Sequence, residues 1–218
     1  MELRSSDFRG KTFQYQCDPG VHSSWWTFDD ERDVRDALWN VHEGDVVLDI
    51  GAGFGSYSLS SLAVGAVFAH AWGMEEDHYA LFQESLKANG WEDRCIINHN
   101  GLLDMPGWYR WQTREFSPSP KEGFVFVDSI DNMMERDGSF SVGPHYLMKI
   151  DTEGAEYEIL LGAEKFLKQS RPTILVENHD FLRPGATDLV RNYLLSQGFV
   201  LTVDRPSSMC THSLYSPT

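Results

Sequence analysis

The chain has 218 residues, 41% of them apolar and 23% charged, which suits one α/β domain with a full core and is short for two. Its formal charge of −15 opposes binding to a phosphate backbone, where affinity comes largely from Lys and Arg, so no nucleic-acid partner is expected. No apolar run approaches the ~18 residues of a membrane span, and Met1 to Gly10 holds no apolar signal core, so no membrane partner is expected and the expected compartment is the cytoplasm.

Residues 1–28 read as irregular, with Cys17 the first of three cysteines; Cys95 and Cys210 follow far away, in no metal-binding pair, and all three read as buried or free thiols. Asp29 or Asp30 is placed to cap a helix over 31–42, with Val34, Leu38 and Val41 on one face. Val46 to Ile50 is a short apolar strand, followed by a glycine loop and a helix from about Gly55 to Ala63. Ala66 to Trp72 reads as a second strand. Asp77 can cap a helix through Ala88, stopped by Asn89-Gly90, and Arg94 to Asn98 is a third strand. Trp108–Phe116 and Gly123–Asp128 are strand-like and separated by Ser117-Pro118-Ser119-Pro120, which predicts a hairpin excursion. Tyr146 to Ile150 is a buried strand, and Gly154 to Lys168 an amphipathic helix. Thr173 to Glu177 is the next strand, and Thr187 to Gln197 a helix stopped by Gly198. Phe199 to Val203 and roughly Thr211 to Tyr215 close as an antiparallel pair.

This alternation implies a Rossmann-like α/β fold: a mostly parallel sheet, helices on both faces and a C-terminal antiparallel hairpin. The expected organisation is a single domain over 1–218. Residues 1–43 form an N-terminal cap region and 44–218 the core, with 104–124 as a hairpin insertion. Ligands of such sheets bind at the carboxyl ends of the strands.

The loop Asp49-Ile50-Gly51-Ala52-Gly53-Phe54-Gly55 lies where a nucleotide loop belongs. Gly51, Gly53 and Gly55 let the backbone approach a ligand closely. The dinucleotide fingerprint would place glycine at Ser56, and Asp49 would repel a pyrophosphate. An ammonium and a sulfonium suit that acid, which points to S-adenosyl-L-methionine as the cofactor, held by Asp49, Gly51, Gly53, Gly55 and Ser56. Glu75 is the candidate to accept from the ribose hydroxyls; alternatively Glu75, Glu76 and Asp77 are only the acidic first turn of a helix. Asn100-Gly101-Leu102 either flanks the adenine or makes a plain turn.

The stretch from Leu147 to Leu160 places Asp151, Glu153 and Glu156 at a strand-to-helix junction. Negative charge near a helix N-terminus explains Glu153 and Glu156, whereas Asp151 ends a buried strand. Twenty-six residues later Glu177 and His179 end the neighbouring strand, so Asp151, Glu177 and His179 can converge as the catalytic group. KIDTEGAEYEIL and PTILVENH, after VVLDIGAGFGSYSL, resemble the FkbM-type methyltransferases over roughly residues 44 to 180. Tyr79 to Gly90 and Val127 to Asp131 also resemble family elements. One departure is Trp72-Gly73-Met74, where the family usually has Phe-Glu-Pro, so the ribose acid is missing from its usual place or displaced to Glu75.

The resemblance implies a class I methyltransferase that O-methylates a hydroxyl of a small molecule or sugar. In-line alignment supplies much of the rate, and His179 and Asp151 are the candidate bases. A divalent cation on Asp151, Glu177 and His179 is the lesser reading, and no metal is the primary expectation. His22, His145, Trp25 and Trp26 are candidates to line an acceptor pocket, with core packing the default for the tryptophans. The rivals are a non-catalytic binding subunit of the same fold and an NAD-dependent oxidoreductase. A homo-oligomer is left open.

Overall fold

The computed structural model describes residues 2–18, 32–110, 113–137, 145–207 and 209–218. They form two compact units, Met1–His99 with His145–Lys149, and Asn100–Pro144 with Ile150–Thr218. Seven strands share one hydrogen-bonded sheet, in the order β12 (Phe199–Pro206), β13 (Thr211–Pro217), β11 (Thr173–Asn178), β10 (Tyr146–Ile150), β3 (Val46–Ile50), β4 (Phe68–Trp72), β5 (Cys95–Asn98). With helices following most of these strands, this is the Rossmann-like α/β fold.

The first unit begins with a feature the sequence reading passed over. Its opening residues are not irregular: β1 (Glu2–Phe8) pairs antiparallel with β2 (Lys11–Cys17). The two-residue turn between them has positive φ at both positions, 50° at Arg9 and 74° at Gly10, the twist that suits a tight hairpin. Phe13, Tyr15 and Cys17 alternate inward and are buried. The expected helix over 31–42 is α1 (Arg32–Leu38), which ends earlier than expected; its proposed caps, Asp29 and Asp30, lie outside the described residues.

β3 runs as expected, and all five of its residues are buried, as a strand covered on both faces requires. It is parallel to β4, Val46 opposite Phe68, and β4 is parallel to β5. Parallel neighbours need crossovers, which α2 (Ser56–Ala63) and α3 (Glu76–Asn89) provide in turn. α3 starts before Asp77, with Glu75 at its N-cap position, and stops at Gly90 with φ 68° as Asn89-Gly90 signals.

In the second unit a four-stranded sheet has the order β6 (Gly101–Leu102), β9 (Val125–Asp128), β7 (Gly107–Arg110), β8 (Glu115–Ser117). The hairpin excursion is present but its turn is earlier than expected: Trp108 to Phe116 is not one strand. Tyr109 pairs antiparallel with Phe116, so the chain reverses before Ser117 rather than at the prolines. α4 (Ile130–Asp137) was not anticipated. Ser129 caps it, its Oγ accepting from Asn132 N at 3.2 Å, and Asp128 holds the junction by accepting from Ser129 N at 2.8 Å and Asn132 Nδ2 at 2.7 Å.

The single helix expected over 154–168 is two, α5 (Glu156–Leu161) and α6 (Glu164–Ser170). The break has two causes. A Cβ on Gly162 would lie 2.1 Å from the Leu103 carbonyl oxygen, so the chain passes too close for any other residue. Asp131 then accepts from the backbone N–H groups of Lys165 at 2.8 Å and Phe166 at 2.9 Å, capping α6 from another helix. α7 (Ala186–Ser196) follows, and β13 lies antiparallel to both β11 and β12, the expected terminal pair.

Candidate functional site

The glycine loop belongs to the first unit. The backbone N–H groups of Gly51 and Ala52 both donate to the Trp72 carbonyl, at 3.0 and 2.8 Å, pinning the loop to the end of β4. Gly55 is the N-cap of α2 with φ 81°, and a Cβ there would meet the Phe82 ring at 2.3 Å. Gly53 has φ 51°, and no described residue lies within 4 Å of where its Cβ would be, so here glycine serves the backbone angle.

Asp49 is fully buried beneath this loop. Its Oδ2 accepts from Ser58 N at 3.0 Å and Ser58 Oγ at 2.7 Å. Lys149, the penultimate residue of β10, brings Nζ to 4.0 Å from Asp49 Oδ1 and donates to the Gly51 carbonyl at 2.9 Å. The ammonium also lies 5.1 Å from the Tyr57 ring centroid. Asp49 therefore acts on the loop from behind, as a positioning residue, rather than through an exposed carboxylate. Lys149 was missed by sequence reasoning; a lone Lys inside an otherwise apolar five-residue strand was the signal for it.

Ser56 opens α2 and is half-buried. Glu75 is exposed at the N-cap of α3, where its side chain does not cap the helix. Asn100, in the second unit, donates from Nδ2 to the Gly101 carbonyl at 2.8 Å, which makes a local turn. His145 is part-exposed, with Nδ1 3.1 Å from Asp45 Oδ1. His22, Trp25 and Trp26 lie outside the described residues.

The second unit brings Asp151, Glu177 and His179 together. Glu156, the first residue of α5, is buried, and its Oε1 accepts from Gly154 N at 2.8 Å and faces His179 Nδ1 at 2.8 Å. It thus folds its own loop and fixes the imidazole in one contact. The other ring nitrogen, Nε2, faces Asp151 Oδ1 at 3.6 Å, Glu177 Oε1 at 3.6 Å and Glu153 Oε2 at 3.9 Å. Glu153 reaches this position with a left-handed φ of 56°. On the neighbouring strand His212 stands opposite Glu177 in the β11–β13 register, with Nε2 3.4 Å from Glu177 Oε2.

Burial alone pushes the His179 pKa down. The Glu156 hydrogen bond, then the charges of Asp151, Glu156 and Glu177, outweigh it and raise the group to about 9. Among the described residues these carboxylates favour the protonated imidazole, which weighs against the expected role of His179 as a general base, since a base must arrive without its proton. Asp151 and Glu177 are the groups beside it with acceptor capacity. Glu156, which the sequence reading explained by the helix dipole alone, is the residue that orients the histidine.

Residues 121–201 match the family model described as the methyltransferase FkbM domain. No curated protein matches the sequence. Among solved structures, methyltransferase FkbM from Methylobacillus flagellatus KT aligns with a TM-score of 0.64 and 17% identity, covering 83% of this chain and 46% of its own. This chain thus spans about half the length of that protein. M. jannaschii TYW2, in complex with AdoMet, aligns with a TM-score of 0.53 and 14% identity over 99% of this chain and 87% of its own. Precorrin 8W decarboxylase from Methanobacterium thermoautotrophicum aligns with a TM-score of 0.56 and 14% identity over 94% and 97%. At these identities the structural matches carry the fold, and fold alone does not fix chemistry. Among the described residues no helix is long and apolar enough to cross a membrane.

Proposed function

We propose, from the match of residues 121–201 to the methyltransferase FkbM domain, that this chain transfers a methyl group from S-adenosyl-L-methionine to a hydroxyl of a small-molecule or sugar acceptor. The observation that carries the reading is the Asp-x-Glu-Gly-Ala-Glu element. It folds so that Glu156 holds His179 and Asp151 stands beside Glu177 around the same ring. S-adenosylmethionine supplies a methyl already activated on a sulfonium, so the protein's work is alignment.

Gly53 lets the loop backbone approach the cofactor without a Cβ, and Asp49 with Lys149 keeps the loop in shape. Asp151 and Glu177 accept from the hydroxyls of the acceptor and take up the proton that methylation releases. An acceptor rich in hydroxyls suits such an acceptor-only lining. One domain over 1–218, no nucleic-acid or membrane partner and a cytoplasmic location belong to the same reading.

Gly53→Val tests the cofactor half. Its backbone strain costs about 1–2 kcal/mol, so the fold is expected to persist by circular dichroism. S-adenosylhomocysteine binding, read by calorimetry, is expected to vanish, and the parent protein is expected to ignore NAD. A variant that binds S-adenosylhomocysteine as the parent does would remove the loop from the cofactor site.

A further inference from the structure

We infer that Asp151, Glu177 and His179 bind one divalent transition-metal cation. The three come from the end of β10, from β11 and from the residue just beyond it, and their ligand atoms all lie within 4.8 Å of one another. Two of the separations are known singly: His179 Nε2 to Asp151 Oδ1 and to Glu177 Oε1, each 3.6 Å. That is too long for a hydrogen bond. It is close to the ~3.4 Å between two donors on a tetrahedral centre with bonds of about 2.1 Å. The cluster has the spacing of groups around a cation rather than of groups bonded to each other.

Two further observations point the same way. His179 is buried, and Glu156 holds its Nδ1 at 2.8 Å. A carboxylate on the far nitrogen of an imidazole fixes the ring and turns Nε2 into the cluster, the usual support of a metal-binding histidine. Glu177 turns Oε1 toward His179 at 3.6 Å, while its Oε2 lies 3.4 Å from His212 Nε2. Glu153, 39% exposed, brings a third carboxylate to 3.9 Å from His179 Nε2.

Two carboxylates and one imidazole suit Mn2+, Fe2+ or Zn2+. Three protein ligands leave positions for an outside ligand. The link to function rests on the methyltransferase reading: a cation here would hold vicinal hydroxyls of the acceptor. The binding itself does not need that reading.

Protein stripped with chelator is titrated with MnCl2 and followed by electron paramagnetic resonance and calorimetry. One ion per chain is expected, with a rise in unfolding temperature. Asp151→Asn and Glu177→Gln are each expected to weaken Mn2+ at least about tenfold, and Asp188→Asn, on the exposed face of α7, to leave it unchanged. Two substitutions guard against loss of fold in one, and thermal unfolding without metal identifies which variants remain folded. No saturable Mn2+ binding by the parent, or binding that both folded variants retain, overturns the inference. S-adenosylhomocysteine binding is measured on the same samples. Cofactor without Mn2+ sinks the metal site alone; Mn2+ without cofactor sinks the methyltransferase reading alone.

Discussion

The glycine loop and the carboxylate cluster treat buried charge in opposite ways. Around the loop, Asp49 is compensated: it accepts twice from Ser58 and stands near Lys149, which is itself bound to the Gly51 carbonyl. Around His179, Asp151, Glu153, Glu156 and Glu177 converge on a single imidazole. The first arrangement spends its charges on holding backbone. The second sets several carboxylates on one imidazole, an arrangement that favours a proton or a cation there. A region of the first kind fails when its geometry is disturbed, and one of the second kind when its charge is.

The largest expected effect lies in the loop. Gly55→Ala adds a Cβ 2.3 Å from the Phe82 ring at a φ of 81°. Strain and overpacking together are expected to cost about 4 kcal/mol in urea denaturation. Gly55→Ala with Phe82→Leu should recover part of that loss, since it relieves the clash and not the angle. Equal stability of Gly55→Ala and the parent would mean that the ring moves aside freely and that the loop is not geometrically fixed. Gly53, whose Cβ would meet no described residue within 4 Å, should by contrast lose ligand and keep the fold.

The cluster comes next. Glu156→Ala removes the buried partner of His179 and the acceptor of Gly154 N, and is expected to cost about 3 kcal/mol. Here the loss should depend on pH. The folded-state pKa of His179 is raised to about 9 from its ordinary 6.5. A raised pKa stabilises the folded state fully below the unfolded value, and that contribution fades as pH rises through the folded one. Metal-free protein should therefore weaken between about pH 7 and pH 9, and Glu156→Gln should flatten that slope. An imidazole that titrates near 6.5 by NMR in the folded parent would end the comparison with Asp49.

These two regions were not equally legible in the sequence. The loop is local: strand, three glycines and helix are contiguous, so Val46 to Ile50 and the start of α2 could be placed from pattern alone. Asp151, Glu177 and His179 could be brought together because each ends a strand of a parallel sheet. What stayed hidden depends on contacts distant in sequence. Lys149 reaches back to Gly51, Asp131 caps α6 and thereby splits a helix whose apolar period is continuous, and Glu156 finds His179. The β1–β2 hairpin escaped for a different reason. Arg9-Gly10 is not among the strong hairpin dipeptides, and the alternation of Phe13, Tyr15 and Cys17 spans only one strand.

That hairpin supplies the smallest prediction, and it asks whether the loop's unit is held from outside the loop. β2 is an edge whose backbone bonds to side chains of α3. Asn89 accepts from Gln14 N at 2.9 Å and donates to the Gln14 carbonyl at 2.7 Å, while Ser85 Oγ accepts from Gln16 N at 2.8 Å. A side chain that pairs both backbone groups of one residue imitates a neighbouring strand and covers an exposed edge. The Asn89 contacts are solvent-exposed, so Asn89→Ala is expected to cost only about 1 kcal/mol. Its signature is local: hydrogen exchange at Gln14 and Gln16 should quicken more than at Val47 and Leu48 in β3. Equal acceleration in β2 and β3 would mean that the hairpin and the glycine-loop strand open as one body, and that the geometry of the loop depends on the N-terminal hairpin as well as on Asp49 and Lys149.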